Sequence, residues 1–331
     1  MIKTALRGDI VKTLVSEVNG LGYLRIPFML IVDFDIKNYY LCPLDELNKS
    51  RDILVQFPGY NNIRSVSGKK PVSIKIKKTY FRSYQTSFNT VMSHLHQGDS
   101  FLTNLTVSTP VELKGTLTDL FYQANAPYKI WFKDQWLCFS PETFIKIKGN
   151  KIYSYPMKGT IDASIPDARK KLLNNLKETA EHHTIVDLIR NDLSRVATEV
   201  RVDRLKYIQQ IKTTDKALLQ MSSRISGKLE KGYRRTLGEL FLSLLPAGSV
   251  SGAPKPKTIE IIHKSEKHQR GYYTGVCFVY DGKSVDSCVL IRFVEKTRNG
   301  YVYKSGGGIT TQSNLSNEFQ ELKDKIYVPV L

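Results

Sequence analysis

Two pairs of glutamates are spaced for one shared site. Glu178 and Glu181 lie three residues apart, and so do Glu318 and Glu321 near the C-terminus. In a helix this spacing puts both carboxylates of a pair on one face, where their like charges repel each other. If the two helices converge, the four carboxylates are suited to hold one Mg²⁺ ion, which prefers oxygen ligands.

Neighbouring lysines offer a second explanation of the same pairs. Lys177, Lys323 and Lys325 lie close in sequence to the glutamates. Their ammonium groups would neutralise surface carboxylates without any metal. The spacing does not choose between metal and lysines, and both interpretations stay open at this point.

Lys158 is a candidate nucleophile in the segment 156–160, which reads Pro-Met-Lys-Gly-Thr. The segment follows a predicted strand that ends near Tyr155, and its proline and glycine indicate a stiff, tight backbone. Such a backbone can aim an amine at a bound substrate, although the ammonium must lose a proton before it attacks carbon. The alternative is an ordinary surface lysine beside a turn.

Two glycine-containing loops are suited to receive an anion. The loop 305–309 carries three consecutive glycines, which let backbone N–H groups approach a ligand. The loop 245–255 leads into a predicted helix whose N-terminus attracts negative charge. Neither loop has the spacing of a nucleotide-binding motif, and each is also compatible with a simple turn.

The composition is that of an ordinary globular chain with strong positive charge. The 331 residues are 41% hydrophobic and 24% charged, which excludes a disordered, fibrous or membrane-spanning chain. The net charge is +18, but the basic residues are dispersed in short clusters. We therefore expect neither a nucleic-acid nor a membrane partner, and a basic nucleic-acid-binding protein is the weaker interpretation.

The cysteines and the N-terminus indicate the compartment. The four cysteines are widely spaced and contain no Cys-x-x-Cys pair, so they predict neither a zinc ribbon nor a disulfide framework. No apolar signal segment follows Met1. Together these features predict a reduced, cytoplasmic protein.

Hydrophobic periodicity predicts the elements that must position these side chains. The predicted strands are 72–80, 143–155, 272–280 and 286–294, and the predicted helices are 10–18, 82–95, 168–190, 235–244, 254–264 and 314–326. Strands and helices do not alternate strictly, so we expect an α+β fold with large, mostly antiparallel sheets sandwiched with helices. The glycine- and proline-containing stretch 56–71 suggests a boundary between a short N-terminal segment, residues 1–70, that packs on the core and a compact catalytic domain, residues 71–331.

Taken in order, these motifs resemble those of the chorismate-utilising enzymes, which include the synthase subunits that form anthranilate and aminodeoxychorismate and the isochorismate and salicylate synthases. The resemblance runs from about residue 98 to residue 325. It rests on eight blocks in the family's order: Gly98-Asp99 with Asn104-Leu105, Ser140-Pro141-Glu142, 156–160, Glu181-His182 with 187–193, Gly248-Ser249 with 251–255, Ile291-Arg292, the triple glycine 306–308, and Glu318 with Glu321. It implies the chorismate-binding fold of anthranilate synthase.

The resemblance also implies roles for matching residues. Glu178, Glu181, Glu318 and Glu321 would surround Mg²⁺, which holds the ring carboxylate of chorismate. Tyr273, Arg292 and Lys325 would recognise carboxylates, while Thr160, Ser249, Gly306 and Gly308 would supply polar contacts to the substrate. This division suits a dianion, because a divalent cation and a planar guanidinium can hold two carboxylates in a fixed orientation.

Lysine at position 158 is typical of the aminodeoxychorismate synthases, whereas anthranilate synthases usually carry alanine there. By resemblance, Lys158 would add to ring carbon C2 as the C4 hydroxyl leaves, with Glu142 as the general acid. Ammonia would then displace the lysine by attack at C4. The resemblance thus implies component I of an aminodeoxychorismate synthase, which makes 4-amino-4-deoxychorismate for 4-aminobenzoate and folate. A separate glutamine amidotransferase subunit would supply the ammonia, because the chain has no convincing Cys-His glutaminase signature.

Two positions depart from the family's patterns. Gln220 stands where many relatives carry a histidine associated with pyruvate elimination, a step of anthranilate formation. Because glutamine cannot shuttle protons near neutral pH, anthranilate synthase component I is the second choice. Leu102 stands where isochorismate synthases carry a lysine that activates water. An inactive paralogue that serves as a scaffold is an alternative of another class.

Overall fold

Two large antiparallel sheets dominate the fold. A computed structural model describes residues 7–63, 71–212 and 217–329. Within these ranges the helices are α1 Arg7–Tyr23, α2 Leu44–Lys49, α3 Phe81–His96, α4 Leu117–Gln123, α5 Ala168–Asn174, α6 Leu176–Ser194, α7 Leu237–Leu244, α8 Lys255–Ser265 and α9 Leu315–Asp324. None of these described helices is long and apolar enough to cross a membrane.

The strands divide evenly between the sheets. They are β1 Phe28–Val32, β2 Tyr39–Pro43, β3 Ile53–Phe57, β4 Tyr60–Asn61, β5 Ser73–Ile76, β6 Leu102–Lys114, β7 Tyr128–Phe132, β8 Trp136–Ser140, β9 Thr143–Lys148, β10 Lys151–Ser154, β11 Met157–Asp162, β12 Thr198–Lys212, β13 Ala217–Lys228, β14 Gly252–Ala253, β15 Val276–Tyr280, β16 Val285–Val289, β17 Phe293–Thr297 and β18 Gly300–Ile309. The first sheet has the order β11-β13-β10-β9-β16-β15-β1-β2, with β12 beside β13. The second has the order β14-β6-β18-β17-β8-β7-β3-β4, with β5 beside β6.

The two sheets pack face to face, and helices cover their outer faces. Strand β1 illustrates this, because its residues alternate between two cores. Leu30 faces the core shared with α1 and α7, whereas Met29 and Ile31 face the core between the sheets. On the far side of the second sheet, residues of α4 such as Phe121 form a third core. The layers are therefore helix, sheet, sheet, helix, and the predicted α+β fold with large antiparallel sheets is confirmed.

Most of the predicted helices form close to their predicted positions. The exception is 168–190, which is two helices, α5 and α6, separated by Asn175. The Asn175 side chain accepts a hydrogen bond from the backbone N–H of Glu178, which makes it the N-cap of α6. Asn175 therefore marks the start of a new helix, α6, whose direction differs from that of α5. Helix α6 carries the first glutamate pair.

Two of the predicted strands are each divided into two strands. The segment 143–155 is the hairpin β9–β10, which turns at Gly149 with a φ of +62°. The segment 286–294 is β16 and β17, which lie in different sheets and are separated by residues 290–292. The first break lies at Gly149-Asn150, whereas residues 288–291 before the second are all apolar, so periodicity alone does not reveal the second break.

Residues before position 64 contribute strands to both sheets. Strand β1 lies between β15 and β2 in the first sheet, and β3 lies between β7 and β4 in the second. The boundary predicted near residue 70 stays a prediction, because residues 64–70 lie outside the described ranges.

Candidate active site

Two adjacent chain segments cross from one sheet to the other, and each carries a predicted site residue. The first joins β8 to β9 through Glu142, and the second joins β16 to β17 through Arg292. Backbone hydrogen bonds tie the crossings together, from Val289 N to Glu142 O and from Phe139 N to Arg292 O, both at 3.2 Å. Residues of both crossings line one cavity.

The Arg292 backbone has a left-handed conformation, with a φ of +55°. Few non-glycine residues adopt it, and in structures such strain is frequently associated with functional sites. The guanidinium lies 5.2 Å from the centre of the Tyr327 ring. Its buried Nε has no hydrogen-bond partner among the described residues. Arg292 therefore keeps a buried donor available next to the cavity.

Glu142 is a hydrogen-bonded carboxyl group whose pKa is affected by burial. Its backbone N–H donates to Ser140 Oγ at 3.0 Å, and Ser249 Oγ donates to its Oε1 at 2.5 Å. Burial raises the pKa of Glu142, and this effect outweighs the Ser249 hydrogen bond and the nearby positive charges, which lower it. A carboxyl group in this environment is suited to donate a proton.

Lys158 lies within β11, which continues along β13 in the same direction as β10 after a break at Tyr155 and Pro156. The pairing of β11 with β13 shifts register between Lys158 and Thr160, and Gly159 in the resulting bulge has a φ of +71°. Bulges of this kind re-aim neighbouring side chains. Lys158 Nζ lies 3.3 Å from Glu181 Oε2 and 3.2 Å from the position that a Cβ of Gly308 would occupy. The predicted nucleophile and the triple glycine are thus neighbours.

The triple glycine is part of β18, whose residues 306–308 pair with 104–106 of β6. At Gly306 a Cβ atom would lie 2.6 Å from the carbonyl oxygen of Leu105, so no larger residue fits without displacement of the backbone. Because glycines have no side chains, groups from other elements, such as Lys158 Nζ and Lys325 Nζ, can lie close to the backbone of β18.

Lys325 follows α9 and reaches the same glycines. Its Nζ donates to Gly306 O at 2.9 Å and contacts Glu321 Oε1 at 2.7 Å. Burial, together with the charges of Lys158 and Arg292, lowers the pKa of Lys325, against the opposing attraction of Glu321. The positive charges of Lys158, Arg292 and Lys325 are therefore close enough to repel one another, which favours an anionic ligand between them.

The cavity has a volume of about 220 Å³. Ten of the predicted residues line it, namely Glu142, Lys158, Thr160, Ser249, Tyr273, Arg292, Gly306, Gly308, Glu321 and Lys325. Tyr273 is only 3% exposed, and burial raises the pKa of its hydroxyl. Its position in the wall makes the neutral phenol a hydrogen-bonding group for a ligand.

The remaining three predicted residues are glutamates that lie close to this cavity. Glu178 Oε2 would be 3.1 Å from a Cβ of Gly159. Glu318 is 4% exposed and accepts a hydrogen bond from Ser313 Oγ at 2.8 Å. Its Oε2 and Glu321 Oε1 lie 3.6 and 3.9 Å from the Cβ position of Gly307. Helices α6 and α9 thus direct both glutamate pairs towards the lysine and the triple glycine.

The oxygen donors of the four glutamates fit a hard cation such as Mg²⁺ in their chemistry. Lysines also contact them, since Lys158 lies against Glu181 and Lys325 against Glu321. The side chain of Lys177 lies outside the described residues. Across the described ranges, no three His, Cys, Asp or Glu side chains form a ready-made cation cage. A cation held by both pairs would therefore have to compete with these two lysines for their carboxylates.

Sequence reasoning left four polar cavity residues without a role as ligand contacts, namely Asn104, Gln220, Lys304 and Ser305. Asn104 lines the cavity opposite Gly308, and its buried Oδ1 has no hydrogen-bond partner among the described residues. Gln220, noted only as a departure from the family's pattern, also lines the cavity and pairs with Thr160. Asn104 belongs to a matching block, and this was the signal that could have indicated it.

Comparisons with known proteins identify the family of this chain. The model of the chorismate binding enzyme family matches residues 44–330. A Haemophilus influenzae protein named "Uncharacterized PabA-like protein" is 44% identical over 96% of this chain and 96% of its own length. Aminodeoxychorismate synthase component 1 of Salmonella typhimurium is 31% identical over 73% of this chain, which spans 56% of that relative's length.

The fold has a counterpart among solved structures. MenF, the menaquinone-specific isochorismate synthase from Escherichia coli, superposes with a TM-score of 0.74 at 14% identity, over 98% of this chain and 82% of its own. At this identity the likeness concerns the fold alone. The family match, which begins 54 residues before the first block recognised by resemblance, covers most of the chain. The chain belongs to the chorismate-binding enzyme family.

Proposed function

We propose that this protein is component I of an aminodeoxychorismate synthase, which converts chorismate and ammonia to 4-amino-4-deoxychorismate and water. The observation that carries the proposal is the amine of Lys158 in a cavity that also contains the Glu142 carboxyl group and the Arg292 guanidinium. A lysine in this cavity supplies a nucleophile, and a carboxyl group of raised pKa supplies a proton. The similarity to the Salmonella typhimurium enzyme supports the same activity.

In the first step the neutral amine of Lys158 forms a bond to C2 of the chorismate ring. Both double bonds of the ring diene shift by one position, the bond between C4 and its hydroxyl breaks, and the oxygen leaves as water with a proton from Glu142. Arg292 and Lys325 hold substrate carboxylates, which fixes the ring against the lysine. The lysine nitrogen keeps its extra proton, so the intermediate carries a charged secondary ammonium at C2.

In the second step ammonia attacks C4. Both double bonds shift back, the C2–nitrogen bond breaks with its electron pair going to the protonated nitrogen, and Lys158 is released as a neutral amine. The new C4 amine loses one proton, which restores the Glu142 carboxyl group. The net reaction replaces one hydroxyl with one amino group and leaves the enzyme unchanged.

The four glutamates of α6 and α9 would hold Mg²⁺, which supplies a positive charge that binds and orients a carboxylate. The ammonia would come from a glutamine amidotransferase partner, and we expect both proteins in the cytoplasm, on the route to 4-aminobenzoate and folate. The four cysteines are buried and free, which is consistent with a reducing compartment.

Product analysis by mass spectrometry tests this proposal. The purified protein is incubated with chorismate, Mg²⁺ and ammonium, with and without an added aminodeoxychorismate lyase. We expect a product with the mass of aminodeoxychorismate, which the lyase converts to 4-aminobenzoate. Anthranilate formed without the lyase would instead identify anthranilate synthase component I, and unchanged chorismate would contradict both activities.

The K158A variant tests the covalent role of the lysine. We expect loss of aminodeoxychorismate formation at an unchanged melting temperature, because the amine is missing while the strand pairing remains. The matched control is K296A, which removes a half-exposed lysine paired with Asp134 on the surface. Full ammonia-dependent turnover by K158A would rule out the covalent intermediate.

A further inference from the structure

We infer that Arg270 is a positioning residue, whose buried guanidinium sets the relative positions of three segments of the cavity wall. The inference rests on the proposed use of this cavity for chorismate. Arg270 itself does not line the cavity, and none of the family blocks recognised in the sequence contains it.

The guanidinium donates to acceptors on three separate segments. Nη1 donates to Val250 O at 2.7 Å, and Nη2 donates to Asn104 O at 2.7 Å. Nη1 also lies 3.3 Å from Thr274 Oγ1. Val250 and Asn104 line the cavity, and Thr274 follows the cavity residue Tyr273. A single side chain therefore connects three parts of the wall that are distant in sequence.

Two of these segments lie beside groups used in the proposed reaction. Val250 follows Ser249, whose hydroxyl donates to Glu142. Asn104 pairs with Gly308, which lies beside the Lys158 amine. The proton donor and the wall beside the nucleophile are thus held from one point. A displacement of about 1 Å between reacting groups can cost roughly a hundredfold in rate.

Glu266 completes this connection on the other side of Arg270. Its Oε1 accepts from Arg270 Nη2 at 2.6 Å, and its Oε2 accepts from Arg270 Nε at 2.9 Å. The same Oε1 accepts from Thr106 N and Thr106 Oγ1, both at 2.8 Å. Thr106 pairs with Gly306 of the triple glycine. The side chains of Arg270 and Glu266 are only 2% and 3% exposed, so solvent hardly screens the pair.

Further contacts fix the guanidinium and the backbone behind it. The Arg270 guanidinium carbon lies 4.3 Å from the centre of the Phe34 ring. Lys304, buried beneath the cavity, donates to the carbonyl oxygens of Gln269 and Arg270 at 3.0 Å each. This degree of restraint suits the planar guanidinium, because its fork of donors holds several acceptors at once, whereas an ammonium acts as a point charge.

Calorimetric binding of chorismate and steady-state turnover with ammonium test the inference on the full chain. The R270K variant keeps a positive charge beside Glu266 but loses the fork. The double variant E266Q/R270Q removes both charges. We expect each variant to weaken chorismate affinity about tenfold or more and to lower kcat by up to about a hundredfold, because neither restores the contacts to Val250 and Asn104.

The control separates positioning from stability. Leu120 is fully buried in the core beneath α4 and lines no part of the cavity. L120A is expected to lower the melting temperature at least as much as R270K while retaining chorismate affinity and kcat at a temperature at which the variants are folded. If R270K or the double variant bound and turned over chorismate like the wild type, Arg270 would serve only to balance charge, and the inference would be overturned. Equal losses in L120A would overturn it as well.

The binding measurement also separates this inference from the proposed function. If the wild type binds chorismate but forms no aminodeoxychorismate, the proposed function fails, while the loss of affinity in R270K still supports positioning by Arg270. If the wild type makes the product and R270K matches it in both affinity and kcat, the inference fails and the function stands.

Discussion

Removal of the Ser249 hydroxyl is expected to raise the pKa of Glu142. In the folded protein, burial raises this pKa, and the hydrogen bond from Ser249 is the strongest of the interactions that lower it. The hydroxyl stabilises the ionised carboxylate more than the protonated form, because a charged acceptor forms the stronger hydrogen bond. In S249A this stabilisation is lost, while the burial of Glu142 remains.

The size of the shift follows from the energy of one hydrogen bond to a charged group. Such a bond is worth about 1.5–3 kcal/mol, and one pKa unit corresponds to about 1.4 kcal/mol. We therefore expect S249A to destabilise the ionised form of Glu142 by up to about this energy, so that its pKa rises. The direction is upward, since the substitution removes an interaction that favours the ionised form over the protonated form.

Carbon-13 NMR of carboxyl-labelled glutamate measures this pKa directly, and the signal that disappears in E142Q identifies Glu142. The matched control is S251A, in the same loop, because Ser251 Oγ donates to Ala247 O and not to Glu142. A Glu142 pKa that is unchanged or lower in S249A would refute the reasoning. So would an equal rise in S251A, which would attribute the shift to loosening of the loop.

Three further substitutions test the site. E142Q should raise the melting temperature at pH 8 but not at pH 4. The pKa of Glu142 is raised in the folded state, so the stabilising contribution of this residue is present below its unfolded-state pKa and is lost as the pH rises through its folded-state pKa. An equal change in melting temperature at both pH values would contradict this. G159A should abolish turnover, because a Cβ there would meet atoms at 3.0 and 3.1 Å, whereas G149A, with open space and a φ of +62°, should cost only the strain of about 1–2 kcal/mol; melting curves and turnover of both variants decide. E181Q should raise the Mg²⁺ concentration for half-maximal turnover about tenfold or more, and a value equal to that of E260Q, a surface control in α8, would argue against a ligand role.

The sequence identified the cavity residues better than the architecture that carries them. Glu142, Lys158 and Arg292 were predicted from their motifs, and all three line one cavity. Motifs of this kind are readable because the chemistry restricts the residue type at each position. The spacing of the motifs along the chain gives no information on which strands bring them together.

The crossings between the sheets could not be predicted from periodicity. Residues 288–291 are all apolar, so the apolar run gives no sign that the chain leaves one sheet and enters the other at residues 290–292. Strand β1 was missed because all five residues of Phe28–Val32 are buried and apolar, so no alternation is present. In both cases the deciding factor is the packing of a second sheet, which is not encoded in a local pattern.

Arg270 was missed for a similar reason. Its partners Val250, Asn104 and Glu266 come from three different segments, and only the last is close in sequence. An arginine before a glycine and two tyrosines has no distinctive local signal. Its role depends on long-range contacts, which a single sequence does not reveal.

The insertion of β1 and β3 into the sheets has a consequence for shortened versions of this chain. Without residues 7–63, β15 would lose its partner β1, and β7 would lose its partner β3. Two rows of unpaired backbone N–H and C=O groups would then be exposed, and such edges recruit other chains into intermolecular strand pairing. An N-terminally truncated protein that retains every catalytic side chain should therefore aggregate during expression.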